Sequence, residues 1–219
     1  MISFLFTIST AFGYNPTWKE LYASEGWNYS HSASTAEGEV KVYKKLVDSF
    51  PCFQGETTTD LEPKIIIEIA ADAESAVHWS SADVIAAKEL ARTKAYVDYY
   101  QYLDVPFPLS DRFWFARGHF EQDGNAHLFR WERLEHGGAH VNFYKDIKKK
   151  HSSAEETSLN IGAWVVTPRK DDAGKSKLQY LICTHPGGSV PDVLQSVGTE
   201  KTLPNNLSDM IREGKRRSQ

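Results

Sequence analysis

The 219-residue chain is 41% apolar and 25% charged, the balance of an ordinary globular chain long enough for one sizeable core. Its net charge of −4 and pI near 6.1 exclude the basic field on which nucleic-acid binding relies. Cys52 and Cys183 have no metal-binding spacing; two buried thiols are favoured over a single disulfide.

Residues 1–13 form an apolar, uncharged opening, too short for the ~20 residues of a bilayer span. Ala11-Phe12-Gly13 puts small residues at the two positions a signal peptidase reads. The segment is therefore read as a secretory signal, and the protein as exported to the periplasm with a mature chain starting near Tyr14. No Lys or Arg precedes the apolar run, so a cytoplasmic protein with an apolar N-terminal segment is the alternative.

Trp18–Tyr22 reads as a short helix and residues 23–38 as a Ser/Gly-rich surface stretch. Glu39–Lys45 and Cys52–Thr59 read as the first two strands. Pro63 opens a helix in which Ile65, Ile66, Ile69, Ala70, Ala73 and Val77 recur at helical spacing. From Asp83 the period changes to two. Six strand candidates follow at the short spacing of an antiparallel meander: Ala87–Leu103, Phe113–Glu121, His127–Glu135, Ala139–Ile147, Ser158–Thr167 and Leu178–Thr184. Asp123-Gly124-Asn125 and Asp171-Asp172-Ala173-Gly174 supply hairpin turns. Pro186-Gly187-Gly188 stops the last strand, Ser189 can cap a helix, and Pro191 is tolerated in a first helical turn. The longest helix is expected over 193–215, with Val193, Leu194, Val197, Leu203, Leu207, Met210 and Ile211 as its apolar side. Gly198 and Pro204 should kink or interrupt it. Lys215-Arg216-Arg217 suits its C-terminus better than a membrane or nucleic-acid patch.

Four segments carry a resemblance. His185-Pro186-Gly187-Gly188-Ser189-Val190-Pro191-Asp192-Val193-Leu194 is similar to the D-P-G-G-x-[IL]-P-x-[WL]-[LV] turn of the START-type (steroidogenic acute regulatory-related) lipid-binding domains, with His185 in place of the acidic residue. Val105 to Arg117 resembles that family's P-[WF]-P-[LV]-[SA]-D-R-D-F-[VL]-x-R, with Phe113 in place of an acidic residue. Gly38–Lys45 and Gly162–Pro168 complete the order, so the resemblance covers about residues 16–216, within one START-like domain over 14–219. It implies an α+β helix-grip fold: a curved antiparallel sheet wrapped around a long C-terminal helix, with two shorter helices inserted after the second strand and lying across a cavity mouth.

Chemical motifs are few. No phosphate-binding glycine loop and no G-x-S-x-G elbow occurs. The eight histidines show no H-E-x-x-H or similar spacing, so no metal and no cofactor is expected. A three-residue loop at Asp123-Gly124-Asn125 would put Phe113, Phe115, Arg117 and His119 on one face with Phe129 and Trp131. Tyr99 and Gln101 on the preceding strand would add polar contacts. Arg117 is then either a cation inside the cavity or, on the outer face, one half of a surface ion pair. Aromatic walls with a few polar groups describe a small-molecule pocket. The expected function is binding, and possibly transfer, of a lipid, sterol-like or fatty acyl ligand by a non-enzymatic monomer in transient membrane contact. The alternatives are a cyclase- or hydrolase-like enzyme of the same superfamily, with His119 as its candidate acid–base group, or a partner-binding module with a filled cavity.

Overall fold

The computed structural model describes residues 16–47, 50–107, 109–188 and 192–219. The expected signal segment, the Ser189 cap and Pro191 lie outside the described residues. Strands run β1 (Asn28–Thr35), β2 (Gly38–Val47), β3 (Phe50–Thr59), β4 (Val84–Arg92), β5 (Tyr96–Leu103), β6 (Arg112–Asp123), β7 (Ala126–Arg133), β8 (Glu155–Glu156), β9 (Leu159–Pro168) and β10 (Ser176–His185). Helices are α1 (Trp18–Tyr22), α2 (Pro63–Ala71), α3 (Ala76–Trp79), α4 (Val141–Lys150) and α5 (Asp192–Arg217). The strands form one sheet in the order β1-β2-β3-β10-β9-β7-β6-β5-β4, antiparallel throughout. Among the described residues only the two-residue β8 pairs parallel, alongside β6.

One face of this sheet holds α5, which packs on β1, β2, β3 and β10, and α2, which packs on β7, β9 and α5. Leu203, Leu207 and Met210, at i, i+4 and i+7, are fully buried there with Ile66 and Ile69. Each such side chain removed from water contributes roughly 1.5–3 kcal/mol, enough to offset the roughly 3 kcal/mol cost of Pro204 inside α5. The opposite face is covered twice. Leu21 of α1 packs with Leu128, Ile161 and Leu181, while Ile147 of α4 packs with Tyr100, Phe113 and Phe115.

Five expectations are corrected. Residues 23–38 contain an extra edge strand, β1, whose Ser/Thr-rich, largely exposed side chains give no core-facing alternation; α2 and α3 consequently follow the third strand, not the second. Residues 87–103 form two strands, because Thr93 makes a turn without Gly or Pro: its hydroxyl accepts from the Ala95 and Tyr96 N–H groups, both at 3.1 Å. Residues 139–147 fall mostly in α4, where Phe143, Tyr144 and Ile147 form the packed face and Lys148, Lys149 and Lys150 favour the C-terminal dipole. The last helix runs continuously through Pro204. Cys52 and Cys183 form a disulfide: they sit directly opposite on β3 and β10 with Cα atoms 4.4 Å apart, inside the bonding range.

Candidate ligand site

A pocket of about 540 Å³ lies between α2, α3 and the inner face of β5, β6, β7, β9 and β10. Ile69, Ala73, Ala76 and Trp79 line its helical side, and Thr202 and Asn206 of α5 close one flank. Val105, Pro106 and Leu109 on the β5–β6 loop also line it, and Phe107 on the same loop is 96% exposed.

The strand side is aromatic because two glycines make room for rings. A Cβ on Gly118 would stand 2.1 Å from Phe129 Cζ, and one on Gly162 would stand 2.4 Å from Trp131 Cζ2. Trp131 stacks on Tyr180 at 5.7 Å between ring centres, and Tyr180 lies 4.3 Å from Trp164. Asn160 Oδ1 accepts from Trp131 Nε1 at 2.8 Å, which fixes the indole. Among the described residues neither the Tyr99 nor the Tyr180 hydroxyl hydrogen-bonds to protein. Burial pushes both phenols up, Tyr99 further through its neighbour Tyr180, so both stay protonated at neutral pH. At the end where β6 begins, Arg112, Thr157, Asn160 and Thr184 give the pocket a polar margin.

Four of the expected site residues line this pocket: Tyr99, Gln101, Phe129 and Trp131. Gln101 donates from Nε2 to the Ala73 carbonyl at 3.3 Å, joining β5 to the helical cover. The other four lie on the opposite face of the sheet. The reason is one residue of register: Asp123 pairs with Ala126, leaving a two-residue turn of Gly124 (φ +57°) and Asn125. A one-residue change in a turn reverses every side chain of the following strand relative to the last. Trp131 therefore faces with Gly118, and Phe129 with Phe120.

Phe113 and Phe115 are fully buried under α4. Arg117 donates from Nε and Nη2 to Asp98 at 2.6 and 2.8 Å, and its guanidinium lies 4.0 Å from the Tyr96 ring, not against Trp131. His140 Nε2 also meets Asp98 Oδ2 at 2.9 Å. Burial alone would raise the Asp98 carboxyl, but the Arg117 and His140 hydrogen bonds outweigh it and hold it below the usual carboxylate range. His119 sits on the same outer face with Nε2 3.5 Å from Glu132.

Sequence reasoning missed Trp114, Trp164, Tyr180 and Arg112 in the pocket. With the two-residue turn, alternation from Trp131 through Gly118 reaches Trp114 and Arg112 directly. Among the described residues no cluster of three His, Cys, Asp or Glu is placed to hold a metal.

No family model and no curated protein matches the sequence. Solved structures do match. A STAR-related lipid transfer protein from Xanthomonas axonopodis superposes with a TM-score of 0.70 at 22% identity, covering 87% of this chain and 99% of that one. Human StAR-related lipid transfer protein 5 gives a TM-score of 0.70 at 11% identity, with 92% of each chain covered. The Zhui aromatase/cyclase from Streptomyces sp. R1128 gives 0.52 at 15% identity, covering 77% of this chain and 95% of that one. At these identities the likeness is one of fold. The large antiparallel sheet, short helices and C-terminal helix of this chain are those of the START helix-grip domains, to which it is similar.

Proposed function

We propose that this protein binds a lipid or other hydrophobic ligand in the pocket beneath α2 and α3, within one START-like domain spanning residues 14–219. The observation that carries the reading is the pocket itself: about 540 Å³, within the ~300–1,000 Å³ of small-molecule sites. Its walls join rings held over Gly118 and Gly162 to aliphatic side chains such as Ile69, Leu103 and Ile182, with polar residues also in the lining. Burial of ligand surface there contributes roughly 25 cal/mol per Å². The fold shared with proteins named for lipid transfer supports the same reading.

The cyclase-like alternative has less support: among the described residues no histidine lines the pocket, and His119 points to the other face. Transfer, with transient membrane contact, is the proposed extension, since Phe107 stands exposed on a loop that lines the pocket. Export to the periplasm is supported by the buried Cys52–Cys183 disulfide, because such bonds persist in oxidising compartments. No helix of the described residues is long and apolar enough to cross a membrane. The proposal includes a monomer.

Titration of detergent-free protein with dehydroergosterol and with a pyrene-labelled fatty acid tests the reading, using energy transfer from the pocket tryptophans. Saturable one-to-one binding of at least one probe, weakened by Ala73→Phe, is expected. Failure of both probes to bind folded protein would refute it.

A further inference from the structure

We propose that the pocket takes an amphiphile with an anionic head, a carboxylate or a phosphate, whose charge is paired by Arg112. The inference rests on the reading of the pocket as a hydrophobic-ligand site. Arg112 opens β6 two residues before Trp114, and so projects from the same face into the pocket lining. It is only 7% exposed. A guanidinium does not give up its proton, and a buried cation is costly unless it is paired.

Among the described residues its charge has no ion-pair partner, although Glu155 stands opposite it in register on β8. Among the described residues no carboxylate oxygen lies within 4.0 Å of its guanidinium. Nη1 donates to the neutral carbonyls of Ser110 and Asp111, and the buried Nε has no partner. The adjacent Asp111 carboxylate is engaged elsewhere, accepting from the Tyr102 hydroxyl at 2.6 Å and the Val105 N–H at 3.1 Å. Contrast Arg117, on the other face, whose nitrogens grip Asp98.

A second unsatisfied group lies beside it. Thr157 donates its N–H to the Phe113 carbonyl at 3.0 Å, which seats it next to Arg112, and it lines the same pocket. Its buried hydroxyl has no partner either. Two unpartnered donors on adjoining segments, at the end of the pocket beside the rings of Trp114 and Trp131, suit the acceptor oxygens of an anionic head. The aromatic remainder takes the apolar body. A neutral sterol or alcohol would leave the guanidinium unpaired.

The test is isothermal titration of wild type, Arg112→Gln and Thr157→Val with dodecanoate, dodecyl phosphate and 1-dodecanol at neutral pH, with circular dichroism to verify folding. Wild type should bind at least one anion about tenfold or more tightly than the alcohol, the scale of a hydrogen bond to a charged group. Which anion binds tighter identifies the head. Arg112→Gln should reduce the preference to about twofold or less, and Thr157→Val should weaken anion binding by about threefold. If Arg112→Gln does not fold, the wild-type preference and Thr157→Val decide. Equal binding of all three probes, or an undiminished preference in folded Arg112→Gln, overturns the inference and leaves the hydrophobic-ligand reading standing. Binding of none of them, nor of dehydroergosterol, overturns both.

Discussion

Replacing both cysteines by alanine, Cys52→Ala/Cys183→Ala, removes a cross-link that closes a 131-residue separation. In the chain-entropy account the loss is 2.1 + 1.5R ln n, with n near 131, or about 17 cal/mol/K, which at room temperature is about 5 kcal/mol. Both sulfurs are fully buried between Leu21, Leu159 and Leu181, so alanine also leaves a small void. Native strand pairing already brings β3 and β10 together, and the entropy acts only through the unfolded chain, so the measured loss should fall between about 3 and 5 kcal/mol. That is a large part of the ~5–15 kcal/mol typical of a domain. Urea unfolding of oxidised wild type and the double variant, followed by tryptophan fluorescence, measures the difference directly. A change below about 1 kcal/mol, or two free thiols titrated in unfolded protein purified without reductant, would refute the cross-link reasoning.

Gly118→Ala places a Cβ 2.1 Å from Phe129 Cζ, so denaturant unfolding should show an overpacking cost of about 1–3 kcal/mol; an unchanged midpoint would contradict the placement of that ring. Arg117→Met leaves Asp98 buried with only His140 as side-chain partner. It should lower stability by about 2–4 kcal/mol without changing the affinity for an apolar probe, as binding and unfolding measured on one preparation would show. Glu213 accepts hydrogen bonds from Arg216 and Arg217, foremost from Arg216, and these hold its carboxyl down at about 2 against an ordinary 4.5. The stabilisation is therefore full above about pH 4.5 and lost as pH falls toward about 2. Because Arg216 is largely exposed, screening reduces it to about 1 kcal/mol. Glu213→Gln should remove that acid-limb dependence, and identical acid unfolding of wild type and variant would contradict it.

What was legible in the sequence was whatever periodicity or punctuation determines locally. Pro63 with Ile66 and Ile69 marks α2, and the alternation of Gly38–Val47 and of Leu178–Thr184 marks strands whose inner residues meet the core. The site depended on parity across a turn, which local pattern does not contain. Asp123-Gly124-Asn125 accommodates a two- or a three-residue loop, and the choice decides whether Arg117 or Arg112 looks into the pocket. Other misreadings share this origin. Thr93 makes a turn through its hydroxyl, β1 is a polar edge strand, and Val141–Lys150 has apolar residues compatible with either period until the aromatic face of Phe113 and Phe115 gives a helix something to cover. The disulfide is a consequence of register between β3 and β10, 131 residues apart.

The central claim, that the space beneath α2 and α3 holds a hydrophobic ligand, is tested most directly by native mass spectrometry. Delipidated protein would be exposed to a total lipid extract, passed through a size-exclusion column without detergent, and compared with an Ala73→Phe variant that fills the pocket wall. The account predicts a one-to-one lipid adduct on wild type that is lost or sharply reduced in the variant. Absence of any adduct on folded wild type, or equal adducts on both proteins, would contradict it.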